Sequence, residues 1–357
     1  MKAVTAEPIS SLVLEPVAER PGAVRRMARN RSVVFGGVIL ALVVLIAVLA
    51  PVLGTTDPAR VEPVAERPGA VRRMARNRSV VFGGAILALV VLMAVLAPVL
   101  GTTDPARVEP VLRNRRPGAV TSVRNADGSQ TARTHWMGTD SLGRDVYSRV
   151  IYGARVSLLV GVSVALISTA IGLVIGMFAG YVRWLDEIVM RVMDGLMSIP
   201  AILLAIGLVS LSRAGLRTVI VAIVIPEVPR VVRLVRSVVL SIREEPYVEA
   251  AVALGARTPA LLARHVLPNT LAPLTVQATF ICASAILVEA ILSFLGVGIP
   301  PETPTWGNIM AEGRALFRVF PHNILFPGLF LAATVLAVNM LGDGLRDQFD
   351  PRVSRRL

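Results

Sequence analysis

Seven apolar runs, each about as long as a bilayer crossing, dominate this sequence. A helix needs about 20 mostly apolar residues to cross the hydrocarbon core of a membrane, and its backbone polar groups must be satisfied internally. The runs are Ser32–Leu53, Ser79–Leu100, Val156–Tyr181, Ile188–Val209, Thr218–Leu240, Leu271–Leu292 and Ile324–Leu341. Hydrophobic residues make up 54% of the 357 positions. This pattern predicts an all-α polytopic membrane protein.

The first two runs lie in a nearly identical repeat. Residues 15–61 recur as residues 62–108, with differences only at Val38 against Ala85 and Ile46 against Met93. A solenoid needs at least three repeats with divergent ends, so a recent tandem duplication or a sequence artefact is the better interpretation. We therefore expect the second copy to supply the functional first span, with residues 1–71 dispensable. Met74 is then a hypothetical start site.

The charged residues exclude several functional classes. The net charge is +13, but the arginines cluster between apolar runs, as the positive-inside rule predicts, so nucleic-acid binding is not expected. The only lysine is Lys2, and a phosphate-binding P-loop requires a lysine after its glycines. We expect no metal and no cofactor, because one cysteine and three scattered histidines lack ligand spacing. They are Cys282, His135, His265 and His322.

A more polar stretch, residues 244–269, interrupts the apolar pattern. It predicts a short helix over Tyr247–Leu254, a turn at Gly255, and a second helix that starts at Pro259 and ends at Pro268. An ordinary cytoplasmic loop could have this form. The spacing also resembles the EAA motif of permease subunits of ATP-binding-cassette (ABC) importers. The residues that match are Glu249, Ala250, Ala251, Gly255, Leu267 and Pro268.

Two further strings resemble the dipeptide, oligopeptide and nickel permeases. One is Glu289-Ala290-Ile291-Leu292-Ser293-Phe294-Leu295-Gly296. The other lies in the first external loop, where its characteristic residues are Gly138, Thr139, Asp140, Gly143, Arg144 and Asp145. The loop string could face a binding protein or a partner permease. The alternative is an amphipathic helix at the membrane surface, with Asp140 or Ser141 as its N-cap.

Polar residues within the spans allow several interpretations. Glu289 and Asn339 are candidates for a path or gate, although interfacial placement or hydrogen bonding between helices would also explain them. Pro200 predicts a kink, and the glycines of Val156–Tyr181 predict close helix packing. Trp306 suits a membrane interface or a protein contact. Arg230, Arg233 and Arg236 recur on one helical face, either as a groove for an anion or as cytoplasmic anchors.

From about residue 72 onward, the chain resembles the C-type permease of peptide and nickel ABC importers. The resemblance implies a six-span type I importer permease fold, here preceded by a duplicated first span, in a bacterial inner membrane. It divides the chain into the first core helix with its external loop (72–153), the core permease domain (154–349) and a cytoplasmic tail (350–357). The loop at 244–269 would dock into an ATP-hydrolysing subunit and be anchored there by Glu249.

The same resemblance implies the partners and the chemistry. A homologous second permease, two ATP-binding subunits, an extracytoplasmic substrate-binding protein and the lipid bilayer would surround this chain. It would carry no catalytic residue, because ATP hydrolysis would occur in the partners. Related permeases serve dipeptides, oligopeptides, opines, glutathione-like thiols and nickel, and the sequence does not select among these cargos.

Two other functional classes fit the sequence less well than an importer. An ion-coupled secondary transporter would need inverted repeats and broken helices at the membrane midplane, whereas the repeat here is direct. A membrane-embedded enzyme would need catalytic side chains clustered within the spans, where His, Asp and Glu are sparse.

Overall fold

The chain folds into helices with one small external hairpin. The computed structural model describes residues 77–124 and 130–349; the predicted span Ser32–Leu53, the segment 1–71 and the tail 350–357 lie outside them. The helices are α1 Arg78–Leu96, α2 Val146–Tyr181, α3 Arg183–Met197, α4 Ala201–Ser210, α5 Leu216–Arg243, α6 Pro246–Ala253, α7 Thr258–Leu261, α8 Leu267–Phe294, α9 Trp306–Gly313 and α10 His322–Phe349. A π turn, Leu262–Val266, joins α7 to α8. Short 3₁₀ turns lie at Pro110–Leu112 and Arg314–Leu316.

The predicted spans of the core coincide with these helices. In the described part, α1, α2, α10 and the continuous segment Thr258–Phe294 are long and apolar enough to cross a membrane, and the bent pair α3–α4 makes a fifth if it counts as one span. The sixth, α5, has 28 residues, but Glu227 and five arginines make it less apolar. The prediction of an all-α polytopic membrane protein is confirmed.

The external hairpin was not predicted. Strand β1, Ala119–Arg124, pairs antiparallel with β2, Gln130–His135, and the register places Ala119 opposite His135. The sequence had only indicated a polar loop with a turn at 125–128. The hairpin lies between α1 and α2, in a segment with few apolar side chains to bury, and its two strands satisfy each other's backbone hydrogen bonds.

Helix α2 starts ten residues before the predicted span. Asp145 is its N-cap, because the Asp145 carboxylate accepts from the Ser148 backbone N–H. The added turns carry Val146, Val150 and Ala154 into a cluster around Trp306. Trp306 is fully buried and donates its indole N–H to the Val150 carbonyl at 3.1 Å. Of the two interpretations of Trp306, the structure therefore favours a protein contact, since α9 packs against α2 and α8.

The predicted span Ile188–Val209 is not one helix. The axes of α3 and α4 differ by 84° across Ser198–Pro200. Proline lacks an N–H and disfavours a helical conformation in the residue before it, so Pro200 ends the first helix and precedes the second. The predicted kink is confirmed, but the continuous helix Ile188–Val209 was wrong.

Helices α2 and α5 form the closest packing in the core. The small residues that the sequence indicated face a valine row, with Gly172, Gly176 and Gly180 against Val231, Val235 and Val239. A Cβ on any of these glycines would fall within 2.7 Å of a valine Cβ. The expected close approach is confirmed, and it fixes the position of α5, from which the 244–269 loop emerges.

Candidate functional site

The loop predicted to couple to an ATPase forms a sharp elbow between α6 and α7. Gly255 adopts φ +82°, a left-handed conformation that side chains with a Cβ resist. Its N–H donates to the Val252 carbonyl at 2.9 Å, and the Ala256 N–H donates to the Ala251 carbonyl at 3.0 Å. These bonds satisfy the carbonyls at the end of α6. The predicted helix, turn and second helix starting near Pro259 are confirmed.

The tip of the elbow is open while its ends are anchored. Residues 249–260 are exposed except for half-buried Ala251, and Leu254 is 89% exposed. On either side, Val248, Leu261 and Leu262 are buried in the core. The Tyr247 and His265 rings lie 5.8 Å apart and link α6 to the π turn. The elbow therefore offers a small-residue surface on a rigid base.

Pro268 does not end the second helix of the loop, contrary to the prediction. The chain continues as one helical segment from Thr258 to Phe294, and Pro268 lies in the first turn of α8. The Leu267 N–H donates to the Leu262 carbonyl across the π turn. A wider turn of this kind accommodates irregular hydrogen bonding within a helix. The six residues of the motif thus divide between the exposed tip and the base of a span.

The external signature string folds into a tight, buried turn. Gly138 and Gly143 have φ of +76° and +79°. A Cβ on Gly138 would lie 2.5 Å from the Arg115 carbonyl oxygen, and Gly143 approaches the Glu109 carbonyl too closely for any side chain. Thr139 is fully buried, and its hydroxyl accepts from the Arg115 N–H at 2.8 Å and donates to the Leu112 carbonyl. The string therefore holds the preceding segment, 109–116, in place.

A buried cluster of four charges lies within this turn. The Asp140 carboxylate accepts from Arg144 Nε at 2.7 Å and from Arg149 Nη1 at 3.3 Å. Both arginines also donate to Glu312 of α9, which joins the external loop to the helix before α10. Burial raises the pKa of the Glu312 carboxyl, against the opposing effect of Arg149 and Arg144. Sequence reasoning missed Arg149 and Glu312; an arginine in the first turn of an apolar helix was the available signal.

Asp145 connects the string to the hairpin. Its carboxylate hydrogen bonds with His135 Nδ1 at 2.9 Å and accepts from the Ser148 hydroxyl at 2.6 Å. His135 Nε2 lies 3.0 Å from the Thr121 hydroxyl of β1. The N-cap is thus Asp145 and not Asp140 or Ser141, because Asp140 is occupied by backbone N–H groups and arginines. The amphipathic interfacial helix predicted as an alternative does not form.

The two candidates for a path or gate occupy different environments. Glu289 is fully buried and accepts from the hydroxyls of Ser293 at 2.8 Å and Ser157 at 3.3 Å. This placement favours hydrogen bonding between α8 and α2 among the alternatives considered. Asn339 is half-buried in α10, and its role stays a prediction.

The arginine row of α5 is paired with carboxylates. Arg230 contacts Glu227 on its own helix at 3.1 Å, Arg233 contacts Asp194 at 2.6 Å, and Arg236 contacts Asp186. The last two carboxylates belong to α3, so this row fastens α3 to α5. An open groove for an anion is therefore not what the structure shows here. Within 77–124 and 130–349, no group of three His, Cys, Asp or Glu side chains could hold a metal ion.

Comparison with known proteins identifies the family. The profile described as "Binding-protein-dependent transport system inner membrane component" matches residues 172–355, which is more than half of the chain. The chain belongs to this family. It is a permease subunit of an ABC importer, the membrane component of a binding-protein-dependent transport system. A second profile, the N-terminal TM domain of oligopeptide transport permease C, matches this permease twice, at residues 22–66 and 69–117.

Several relatives resemble the permease over most of its core. A probable peptide ABC transporter permease of Sinorhizobium fredii is 58% identical over 227 residues, covering 64% of this chain and 78% of the relative. A dipeptide transport system permease of Alkalihalophilus pseudofirmus is 43% identical over 220 residues, covering 61% and 72%. A glutathione transport system permease of Pectobacterium atrosepticum is 42% identical over 220 residues, covering 61% and 73%.

Among solved structures, the chain is similar to the inward-facing MetNI methionine ABC transporter. The similarity has a TM-score of 0.46 and 19% identity, and it covers 56% of this chain and 96% of that one. This likeness is too weak to support an argument about this permease.

Proposed function

We propose that this permease forms the translocation path for peptides or a related small solute together with a homologous second permease. Two ATP-binding subunits would power it, and an extracytoplasmic substrate-binding protein would deliver the cargo. The names of the relatives, which include peptide, dipeptide and glutathione permeases, support a peptide-like cargo. The chain would itself catalyse no reaction and would span the bacterial inner membrane several times.

The observation that carries this proposal is the elbow at Gly255. Its tip exposes Glu249 and Ala250, and the Glu249 carboxylate forms no hydrogen bond or ion pair within residues 77–124 and 130–349. The base runs without interruption into α8. A surface of short side chains fits a groove on a partner, and a continuous helix transmits its displacement. ATP would act through its different affinity for the two conformations of the complex.

The domain arrangement belongs to the same proposal. Residues 1–71 would be dispensable, residues 72–153 would supply the first core span and its external loop, and residues 154–349 would form the permease domain with the coupling loop 244–269. The oligopeptide-permease profile supports this division, because its second match continues through α1 to residue 117.

The deciding experiment changes single residues of the elbow and measures the activity of the reconstituted transporter. Glu249→Lys and Gly255→Trp should separate ATP hydrolysis from uptake while the permease stays assembled in the membrane. Glu187→Lys is the matched control, since Glu187 is an exposed glutamate of α3. ATP hydrolysis and uptake of labelled di- and oligopeptides are measured in proteoliposomes. Normal uptake by both elbow variants would refute the coupling role.

A further inference from the structure

The external face of this permease carries an excess of positive charge. In the described parts of the segments 97–145, 210–217 and 295–321, the exposed arginines are Arg107, Arg113, Arg115, Arg116, Arg213, Arg217, Arg314 and Arg318. The exposed carboxylates there are Asp104 and Glu302. Positive charge is normally depleted on the outer side of an inner-membrane protein. Its retention here requires a physical explanation.

Three of these arginines are adjacent and lack an ionic partner. Arg113, Arg115 and Arg116 form no ion pair with any carboxylate of residues 77–124 or 130–349. Val111, just before them, is 83% exposed, and Trp136 is 69% exposed. The Gly118 N–H donates to the His135 carbonyl at 2.8 Å, which places Trp136 beside the turn after Arg116. We define the external arginine surface as Val111, Arg113, Arg115, Arg116 and Trp136.

The backbone beneath this surface is rigid. The Asn114 N–H donates to the Asp140 carbonyl at 3.0 Å, and the Thr139 N–H donates to the Arg115 carbonyl at 3.1 Å. Asp140 is in turn held by Arg144 and Arg149. The signature turn therefore presents the arginines in a fixed arrangement, and a preordered surface loses less conformational entropy when it binds.

The position of the surface separates it from the lipid headgroups. Helix α1 has 19 residues, about 28 Å at 1.5 Å per residue, which is close to the thickness of the hydrocarbon core. Arg155 of α2 hydrogen bonds to carbonyls in the last turn of α1. Val146 lies nine residues before Arg155 in α2, which places it about 14 Å further from the membrane core. Its N–H donates to the Gly138 carbonyl, beside the external arginine surface. Lipid headgroups occupy only roughly 5–8 Å on each side of that core, so the external arginine surface lies beyond them.

We propose that the external arginine surface is a docking site for an acidic extracytoplasmic protein, namely the substrate-binding protein of the transporter. This inference rests on the proposed function. Arginine and tryptophan are enriched at the energetic centres of protein interfaces, and complementary charge accelerates encounter. The partner presents carboxylates around an apolar pocket that receives Trp136. The buried signature residues act as positioning residues for this surface.

The test measures binding of the purified substrate-binding protein to the complete transporter in nanodiscs. The double variant Arg113→Glu/Arg116→Glu should raise the Kd at least about tenfold at low salt, and the difference should shrink as salt screens the charges. Arg213→Glu/Arg217→Glu is the matched control, with Arg213 on the turn before α5 and Arg217 in the first turn of α5, and it should have a much smaller effect. Trp136→Ala should accelerate dissociation, and because this side chain is exposed the variant should assemble normally.

Each contrary outcome has a defined meaning. Equal binding by the wild type and the Arg113/Arg116 variant overturns the docking surface and leaves the importer function intact. An equal loss of affinity in both double variants indicates that the arginines act only through the overall charge of the external face. That result also overturns the docking surface. An effect seen with anionic lipids but absent with zwitterionic lipids assigns the arginines to headgroups instead. If the wild-type transporter binds no substrate-binding protein, the proposed function itself fails.

Discussion

Gly176 of α2 and Val235 of α5 leave no room for a side chain between their helices. A Cβ built on Gly176 would lie 2.7 Å from Val235 Cβ and 2.9 Å from the Val232 carbonyl oxygen. Neither neighbour can rotate away, because one is a β-branched Cβ and the other is backbone. The two helices are thus held at a separation that only glycine permits.

Gly176→Ala should destabilise the permease for this reason. Overpacking a well-packed interior typically costs about 1–3 kcal/mol. Gly207→Ala is the control, because a Cβ on Gly207 of α4 meets no atom within 4 Å. Thermal unfolding of the purified complex should show a lower Tm for the first variant and little change for the second. Equal Tm values for the two variants would contradict the tight α2–α5 contact.

Asp140→Asn should destabilise the folded permease more than the loss of an exposed carboxylate does. Asp140 is 2% exposed, and its carboxylate neutralises two arginines that are themselves buried. Removing one partner of a buried ion pair leaves uncompensated charge, at about 3–5 kcal/mol. Asp104→Asn is the matched control, since Asp104 is exposed and its Oδ1 accepts from the Ala106 N–H, a bond that asparagine can also accept. The amount of folded protein extracted from membranes and its Tm would distinguish the two.

Glu312 should make stability depend on pH. Because burial raises its native pKa above that of the unfolded chain, protonation favours the native state. This contribution is complete below the ordinary glutamate pKa of about 4.3 and is lost as pH rises through the raised native value. Glu312→Gln should therefore flatten the fall in Tm between pH 4.5 and neutrality. A curve parallel to that of the wild type would assign the pH dependence to other groups.

A chain that starts at Met74 should be fully active. The second copy of the repeat supplies α1, which packs on α10, and a Cβ on Gly83 would lie 2.8 Å from the Ala337 carbonyl oxygen. Uptake and assembly are measured in a deletion strain that expresses either form. Removal of residues 1–100, which deletes α1 as well, should abolish assembly. Loss of uptake in the Met74 form would show that residues 1–73 are needed.

The sequence predicted the spans and the elbow because their determinants are local. Apolar runs of membrane length define a span without knowledge of its neighbours, and the left-handed turn at Gly255 follows from one residue type. The break at Pro200 was visible as a kink, but its angle of 84° was not, and neither were the ion pairs of Asp186 and Asp194 that join α3 to α5.

The external features were predicted less well because their partners are distant in sequence. Glu312 lies 168 residues from Arg144, so the charge cluster could not be seen from the signature string alone. The same holds for Trp306, whose burial depends on the outer turns of α2 continuing past the expected membrane boundary. The hairpin strands alternate weakly and bury little, so their pattern was not distinguishable from a polar loop.

The unbroken helical segment from Thr258 to Phe294 has a mechanical consequence. Its 37 residues extend about 55 Å, from the elbow to Phe294, and Glu289 near its far end accepts from Ser157 of α2. The π turn at Leu262–Val266 and Pro273 interrupt its regular hydrogen bonding, but no unstructured linker separates the elbow from the span. If the proposed coupling holds, we expect a tilt at the elbow to swing the far end of this helix, so that opening on one side and sealing on the other become a single movement.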